Sequence, residues 1–377
     1  MIVSQLKGIN PAIKKILRKS QRNEEITPDE ALKLLKVSGR EFIALQYVAN
    51  QIYREKKGNI VTFVVNRNIN FTNICTKQCL FCSFSHLENH EDAFLLTMED
   101  IRNKAIEAKE MDCTELCIQG GINPHLTFDY YLDILKTVKK VDPNIHVHAF
   151  SPEEIFFMSK LYDDSIEATL KELQKVGLDS IPGTAAEMLV DKIRKIICPN
   201  KISTAQWIDI ITKAHDLGIP TTSTMMYGHI EDLEDRITHL TILRNIQKNT
   251  FGITEFVPLP FVKGNPALSK LKKYPLKPSF GMSDLKLFCV ARLFLNNYID
   301  NIQTSWVKLG PKLAQVSLNY GVNDFSGTLM EENISRSAGA EFGQYLSPSE
   351  MKTIIRDAGR IPAQRDTLYN IIRKFEN

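Results

Sequence analysis

Residues 60–82 read IVTFVVNRNINFTNICTKQCLFC, and this stretch decides both the fold and the chemistry that we expect. The run Ile60-Val61-Thr62-Phe63-Val64-Val65 is rich in β-branched residues and predicts a buried strand. The loop that follows carries Cys75, Cys79 and Cys82 in the spacing Cys-x-x-x-Cys-x-x-Cys. Three thiolates on one short loop can hold three irons of a [4Fe–4S] cube and leave the fourth iron open to another ligand.

Chance, zinc and disulfide bonding are the alternatives for this cysteine loop. With seven cysteines in 377 residues, chance produces the triple at roughly two in a thousand. A structural zinc ion normally takes four Cys or His ligands, and His86 or His90 could supply the fourth. Disulfides are disfavoured because seven is an odd number and residues 1–7 lack the apolar core of a secretory signal. The loop therefore favours an iron–sulfur cluster, with zinc as its alternative.

Several other cysteines and histidines carry no ligand spacing. We predict buried small side chains at Cys113, Cys117, Cys198 and Cys289. His146 and His148 fall within a predicted strand and are assigned to the core. The metal prediction therefore rests on Cys75, Cys79 and Cys82 alone.

The composition is that of a soluble globular protein, with 43% hydrophobic and 24% charged residues. A formal net charge of +3 is too small to indicate nucleic acid, and no apolar run approaches the ~20 residues of a membrane span. A basic run from Lys14 to Arg22 is interpreted as the solvated face of a helix. Free thiols without an export signal predict a cytoplasmic location.

Short apolar runs alternate with amphipathic stretches from residue 59 onward, which indicates an α/β protein. Candidate strands after the first are Glu115–Gln119, Ile145–Phe150, Ser180–Pro182, Thr221–Met226, Thr254–Val257, Ile302–Trp306 and one near Asn323. Amphipathic stretches between them, such as Thr97–Glu110 and Ala185–Ile196, predict helical crossovers. About eight such units over ~280 residues have the size of a closed (β/α)₈ barrel of the TIM type.

We predict three parts in the chain. Residues 1–58 form an N-terminal helical extension, residues 59–345 the barrel, and residues 346–377 a C-terminal helical tail. The tail restarts a helix at Ser347-Pro348, and a second helix is predicted over Asp366–Phe375. Five prolines between Pro258 and Pro278 mark a long connection after the sixth strand, which indicates a functional loop or a lid.

Polar or glycine-rich segments follow the predicted strands, where barrel enzymes place their reactive groups. These segments are the cysteine loop, Gln119-Gly120-Gly121, Ser151-Pro152-Glu153-Glu154, Pro182-Gly183-Thr184-Ala185-Ala186-Glu187, Tyr227-Gly228-His229 and Pro258-Leu259-Pro260-Phe261. Together they predict a pocket at one rim of the barrel.

The same segments resemble one branch of the radical S-adenosylmethionine (SAM) enzymes. That branch includes the deazaflavin-forming FO synthase subunits and the aminofutalosine and dehypoxanthine futalosine enzymes of the menaquinone pathway. Thr184-Ala185-Ala186, Leu259-Pro260 and Ser305-Trp306-Val307-Lys308 are most similar to the second-subunit family of FO synthase. The resemblance runs from about residue 40 to the end of the chain.

The resemblance implies a radical SAM barrel with a [4Fe–4S] cluster and SAM as cofactors. It implies transfer of the 4-hydroxybenzyl group of L-tyrosine to 5-amino-6-(D-ribitylamino)uracil with release of 2-iminoacetate, in the biosynthesis of the deazaflavin FO and coenzyme F420. It further implies the first FO synthase subunit as a functional partner and a protein reductant, with neither nucleic acid nor membrane involved. The alternatives are a sister enzyme of the aminofutalosine synthase type and, from another class, a non-catalytic iron–sulfur or zinc protein.

Site roles can be set beside this resemblance, each with a plain structural alternative. Phe81 would stack near the SAM adenine, or pack within its loop. Gln119, Gly120 and Gly121 would let the backbone approach the SAM methionine amine, or form a tight turn. Glu187 would accept from the ribose hydroxyls and Arg194 would clamp the SAM carboxylate, or both would form a pair on a solvated helix.

The remaining candidates concern the SAM or uracil site and the substrate. Ser151 and Glu153 would line the SAM or uracil site, although a helix N-cap at Ser151 explains them as well. Tyr227 and His229 are candidates for catalytic contact with the substrate. Ser305 and Lys308 are further polar groups expected at the same rim.

Overall fold

The computed structural model describes residues 8–376. Residues 1–7, which belong to the predicted N-terminal extension, lie outside the described residues, as does residue 377. The helices are α1 Pro11–Gln21, α2 Pro28–Leu35, α3 Gly39–Lys57, α4 Met98–Glu110, α5 Phe128–Val141, α6 Pro152–Leu161, α7 Ile166–Lys175, α8 Asp191–Ile197, α9 Thr204–Asp216, α10 Leu233–Thr250, α11 Gly281–Leu295, α12 Trp306–Leu309, α13 Pro311–Ser317, α14 Asn333–Ser337 and α15 Pro348–Asp357. The strands are β1 Ile60–Val64, β2 Asn66–Asn70, β3 Glu115–Gln119, β4 His146–Ala149, β5 Thr221–Tyr227, β6 Ile253–Pro260, β7 Asp324–Gly327, β8 Ile361–Arg365 and β9 Ile371–Lys374.

The strands close into a ring of parallel neighbours. β2 pairs with β3, β3 with β4, and β5 with β6. Single parallel bridges complete the ring at His148↔Ser180, Ile181↔Thr221, Phe256↔Ile302 and Gln303↔Asp324. β7 then pairs with β1. Eight strand positions follow one another around the ring, which confirms the (β/α)₈ barrel. The fourth and seventh positions contribute single bridges rather than full strands.

The first strand continues beyond the β-branched run. β1 ends at Val64, and β2 extends it through a polar segment, so that the cysteine loop begins after Asn70. All five residues of β2 are buried. Asn66 illustrates why polar residues are accommodated here: its side-chain amide donates to Glu115 at 2.8 Å, and its side-chain oxygen accepts from the Leu329 amide at 2.9 Å. Because these hydrogen-bond partners come from distant segments of the chain, the sequence pattern could not predict that the strand continues through polar residues.

The predicted N-terminal helices are confirmed. Thr27 and Glu30 form a capping box at the start of α2, with Pro28 as the first helical residue. α3 spans Gly39–Lys57 and buries Phe42, among other side chains, against the same core as the barrel helices. The extension therefore packs onto the barrel through apolar contacts.

The C-terminal tail is helical only in part. α15 follows the predicted cap at Ser347, but the predicted helix over Asp366–Phe375 is wrong. β8 and β9 form an antiparallel hairpin there, and β8 lies parallel to β1 in register with Ile60–Val64. The buried Arg365 side chain forms an ion pair with Asp324, so the tail is held in the strand conformation by a partner in the barrel. The division of the chain at 58/59 and 345/346 stays a prediction.

No helix within residues 8–376 combines the length and the apolar character that a membrane span requires.

Candidate functional site

A cavity of about 360 Å³ opens at the carboxyl ends of the barrel strands. All three cysteines of the loop contribute to its wall, as do the residues expected near SAM with the exception of Arg194. The lining includes Cys75, Cys79, Phe81, Cys82, Gln119, Gly120, Gly121, Ser151, Glu153, Glu187, Ser305 and Lys308. Its volume is within the range of small-molecule sites.

The cysteine loop is held in place by backbone hydrogen bonds to several segments. The Cys75 amide donates to the His86 carbonyl at 3.0 Å, and the Leu80 amide donates to the Ile197 carbonyl at 2.8 Å. The Leu268 amide donates to the Leu80 carbonyl at 2.8 Å. All three cysteines are free thiols, with Cys79 buried and the other two partly exposed. The loop is therefore preorganised by its neighbours.

The three thiols of the loop do not lie close enough together to bind a single zinc ion. Tetrahedral zinc with Zn–S bonds of about 2.3 Å brings its sulfurs to within ~4 Å of one another. Within residues 8–376, the metal-ligating atoms that lie within 4.8 Å of each other belong to His86, His90 and Asp92, and the three cysteines form no such group. His86 and His90 stack on each other at 4.0 Å between ring centroids. The arrangement of the three thiols therefore does not support the zinc alternative.

Gly120 and Gly121 are required by the protein itself. A Cβ on Gly120 would lie 2.5 Å from the Phe71 ring. A Cβ on Gly121 would lie 2.8 Å from the Ile74 carbonyl carbon, 2.9 Å from the Cys75 Cβ, and closer still to the Ile74 carbonyl oxygen. The two glycines therefore let the end of β3 pack directly under the cysteine loop.

Glu154 joins two strand ends beneath the cavity. Its carboxylate accepts from the Gly120 amide at 3.0 Å, from the Ser151 amide at 2.7 Å and from the Ser151 hydroxyl at 2.6 Å. Ser151 is thus the N-cap of α6 and also a residue of the cavity wall. Burial raises the pKa of Glu154 to about 7, although these hydrogen bonds favour the ionised form.

The pKa of Glu154 predicts a pH dependence of stability. Because the folded-state pKa lies above the ordinary value of 4.5, the folded protein retains a proton that the unfolded chain releases. The free energy of unfolding should therefore fall as the pH rises from about 4.5 to about 7, by up to ~3 kcal/mol from this residue.

The Glu154→Gln variant isolates this contribution from that of Glu255, whose pKa burial also raises to about 7. Urea unfolding curves measured across the window should give a shallower pH slope for Glu154→Gln than for the parent. Identical slopes would show that Glu154 does not titrate in this range.

Two ion pairs fix the charged residues around the cysteines. Lys77 contacts Glu153 at 2.9 Å, and the other oxygen of Glu153 accepts from the Ile202 amide at 2.8 Å. Lys201 contacts Glu187 at 2.7 Å and lies 5.5 Å from the centroid of the Phe81 ring. Phe81 and Glu187, which were expected at the SAM adenine and ribose, are thus brought together around one partly buried cation, Lys201.

Glu187 and Arg194 do not share a helix face, which corrects the prediction for this pair. The helix begins only at Asp191, and Glu187 stands in the preceding loop with a φ of 46°. The Arg194 guanidinium turns away from the cavity and donates to the carbonyls of Ala185, Ala186 and Ile202. Arg194 therefore ties together the loops that carry Glu187 and Lys201.

We expect Arg194→Ala to act on stability before it acts on SAM. The variant leaves three buried carbonyls without a charged donor. Each lost hydrogen bond to a charged group lowers the free energy of unfolding by ~1.5–3 kcal/mol. Its neighbour Lys195 is exposed, so Lys195→Ala is the matched control. This substitution should change the free energy of unfolding by no more than ~0.5 kcal/mol. Thermal and urea unfolding measure the difference. If Arg194→Ala were as stable as the parent but bound SAM more weakly, the predicted contact of Arg194 with the SAM carboxylate would be supported after all.

Tyr227 and His229 lie behind the cavity wall, so their predicted contact with substrate is not supported. Both side chains are fully buried, and neither lines the cavity. His229 Nε2 lies 3.1 Å from the Met226 carbonyl, and its Nδ1 lies 3.2 Å from Glu231. Burial lowers the pKa of His229. Met226, one residue before Tyr227, reaches the cavity instead.

Ser305 and Lys308 are on the cavity wall, as expected. Sequence reasoning missed several polar residues of the wall, and the strand-end rule could have indicated some of them because they follow the seventh and eighth strand positions. The missed residues are Asn73, Lys77, Ser83, Ser85, Lys201, Gln303, Ser326, Glu332 and Ser335. Lys77 lies within the cysteine motif itself, between Cys75 and Cys79, and the motif was interpreted from its thiols alone.

Fold and site together define a barrel enzyme of the radical SAM class. Residues 69–243 match the Radical SAM superfamily, and residues 250–377 match the CofH/MqnC C-terminal region. In fold, the chain is similar to HydG, a maturase of the [FeFe]-hydrogenase. The TM-score is 0.74 at 20% identity, covering 98% of this chain and 79% of that one.

Similarity to curated proteins gives the family within this class. An Archaeoglobus fulgidus protein named 5-amino-6-(D-ribitylamino)uracil–L-tyrosine 4-hydroxyphenyl transferase is 52% identical over 325 residues, covering 86% of this chain and 92% of that protein. A Methanocaldococcus jannaschii protein of the same name is 49% identical over 354 residues, covering 93% and 98%. The chain belongs to this family of transferases, which confirms the resemblance seen in the sequence.

Proposed function

We propose that this chain is the radical SAM transferase that moves the 4-hydroxybenzyl group of L-tyrosine to 5-amino-6-(D-ribitylamino)uracil. The observation that carries the proposal is the shared cavity, in which the three cysteines face polar groups from the opposite strand ends. A carrier or structural protein has no need of a cavity of about 360 Å³ beside its cluster ligands. Membership of the transferase family supports the substrate pair.

Cys75, Cys79 and Cys82 would hold a [4Fe–4S] cluster, and SAM would take the open iron. Together the cluster and SAM supply one-electron cleavage and a radical that starts the reaction on tyrosine. Desolvation raises the pKa of the Cys79 and Cys82 thiols, so iron is needed to hold them as thiolates. The chain's own task is to position these groups and keep water away from them.

The SAM end of the cavity is proposed around Phe81, Gln119, Ser151 and Glu187. The Gln119 side chain donates to the Thr184 hydroxyl, which fixes the strand end beside the cysteine loop. Glu187 keeps one carboxylate oxygen on Lys201 and has a second oxygen for a ribose hydroxyl. Lys201, which contacts Glu187 and lies near the Phe81 ring, replaces Arg194 as the candidate partner for the SAM carboxylate.

The substrate end is proposed around Ser305, Lys308 and Gln303. Lys308 lies on the wall and takes part in no ion pair with any residue from 8 to 376, unlike Lys77 and Lys201. Burial lowers the pKa of Lys308, as expected for an amine lacking a close carboxylate. An anionic or carbonyl group of tyrosine or of the uracil would supply that partner.

Anaerobic reconstitution with iron and sulfide, followed by product analysis by mass spectrometry, tests the proposal. Tyrosine should be consumed only when SAM, a reductant and the uracil are all present. A uracil carrying the 4-hydroxybenzyl group should appear, together with 2-iminoacetate or its hydrolysis product glyoxylate. Phenylalanine should react poorly, because it lacks the phenol hydroxyl.

The reconstituted Cys79→Ala protein is the control for background chemistry. Turnover of a futalosine precursor in place of tyrosine would transfer the assignment to the menaquinone-pathway sister enzyme. Iron uptake without SAM cleavage under any condition would favour a non-catalytic iron–sulfur protein.

A further inference from the structure

The segment between β6 and α11 is strongly basic and contacts the cysteine loop. No acidic residue stands between Glu255 and Asp284, while the segment contains five lysines. All five are exposed, and we call four of them the lid lysines: Lys263, Lys270, Lys272 and Lys273. The fifth, Lys277, contacts Asp232 at 2.6 Å.

The lid lysines have no counter-charge of their own. Across residues 8–376, none of the four forms an ion pair. Lys273 lies 5.3 Å from the centroid of the Tyr274 ring, and Lys263 lies 5.9 Å from that of Phe280, so both rest on aromatic faces. Four uncompensated cations in eleven residues create a local positive field that a net charge of +3 does not reveal.

The segment that carries the lid lysines is hydrogen-bonded to the cysteine loop. Leu268 is fully buried, and its amide donates to the carbonyl of Leu80, the residue after Cys79. Lys270 closes the 3₁₀ turn Ala267–Lys270 that begins one residue before Leu268. The lid lysines are thus connected to the loop through one backbone hydrogen bond of 2.8 Å.

A further exposed lysine lies on a second segment that is hydrogen-bonded to the same loop. The Leu80 amide donates to the carbonyl of Ile197, the last residue of α8, and Lys195 on that helix is exposed. Within the described part of the chain, Lys195 also has no ion-pair partner. Leu80 therefore lies between two segments that each present exposed lysine.

Exposed apolar side chains accompany the lid lysines. Leu271 is 37% exposed, Phe280 66% and Met282 61%. Small, transient interfaces, such as those of electron-transfer proteins, combine a few apolar groups with surrounding charges of one sign. Acidic partners fit such a surface, and basic partners are repelled by it.

We propose that the lid lysines, with Lys195, dock a small acidic protein that carries single electrons, and that this surface is where the cluster receives its electron. The inference rests on the proposed function, since only a redox cluster at the three cysteines needs such a partner. In the transfer, the carrier loses one electron and the cluster gains one, and no bond or proton changes place at the interface.

The test compares charge reversals on the reconstituted holoenzyme. The triple variant Lys270→Glu, Lys272→Glu, Lys273→Glu changes the charge by the same amount as Lys14→Glu, Lys15→Glu, Arg18→Glu on α1, which is the matched control. None of these six residues lines the cavity. The probe is a purified acidic ferredoxin of low potential.

Binding gives the first readout, independent of turnover. Carbodiimide coupling of the ferredoxin should yield cross-links at the lid lysines, and calorimetry at low salt should show at least ~10-fold weaker binding for the lid variant. The control variant should bind like the parent, and binding to the parent should weaken as salt is added. Cross-links that map to α1 instead, or equal affinity of the two variants, would overturn the proposal.

The reductant gives the second readout. With dithionite, a small molecule that needs no docking, parent and lid variant should form 5′-deoxyadenosine at equal rates. With ferredoxin, the lid variant should be at least ~10-fold slower. A loss with both reductants would point to damage at the site and would count against the proposal. Failure of the parent with dithionite would instead contradict the proposed function.

Discussion

Replacing Cys75, Cys79 or Cys82 with alanine is expected to remove the cluster and all SAM cleavage. The three thiolates are the whole ligand set that the cavity offers, so each substitution leaves one iron of the cube without a protein ligand. Removing a residue that only hydrogen-bonds to a metal ligand lowers metal affinity or activity by ~10- to 100-fold. Removing a ligand itself should lower both by more. Iron and sulfide content and 5′-deoxyadenosine formation measure the effect.

Cysteines outside the loop provide the control for this experiment. Cys289 is fully buried in α11, away from the cavity, and Cys198 follows α8 beside the loop without lining the cavity. Replacing either with alanine should leave the iron content unchanged in folded protein. A Cys79→Ala protein that still cleaved SAM at the parent rate would disprove the ligand assignment.

Gly121→Ala should have the second-largest effect, although the change adds only a methyl group. The new Cβ would overlap the Ile74 carbonyl and lie 2.9 Å from the Cys75 Cβ, so the cysteine loop has to move. Overpacking of this kind costs ~1–3 kcal/mol of stability, and here it displaces Cys75, a proposed iron ligand. We expect a lower thermal midpoint and less than half of the parent iron content.

Gly281→Ala is the matched control, because the nearest atom to its new Cβ is a Leu313 methyl carbon at 3.7 Å. Gly281 is also the first residue of α11, where alanine is a good helix former. This variant should keep its cluster and its stability. Normal iron content in Gly121→Ala would mean that the loop and the end of β3 are less tightly packed than the structure indicates.

The sequence by itself determined the local parts of this protein. The cysteine spacing predicted the cluster loop, and the alternation of apolar runs with amphipathic stretches predicted the barrel. Ser347-Pro348 predicted the start of α15, where Ser347 and Glu350 form a cap between residues three apart. Such features depend on neighbours in the chain, so they can be inferred without knowing the fold.

The direction of side chains at the barrel rim depended on tertiary contacts. Arg194 was placed on SAM by its charge, but carbonyls of two loops take up its guanidinium. Tyr227 and His229 were placed in the pocket by their position after a strand, but they pack behind it. A strand end indicates the correct rim, whereas the rotation of each side chain depends on packing.

The partners of buried charges were likewise decided only by the fold. Lys201 joins the site because it pairs with Glu187, fourteen residues earlier. Residues 361–374 form a hairpin because β8 pairs with β1 and Arg365 forms an ion pair with Asp324, 41 residues earlier. A buried charge needs a counter-charge, and the distant segment that supplies it is brought there by the closed barrel.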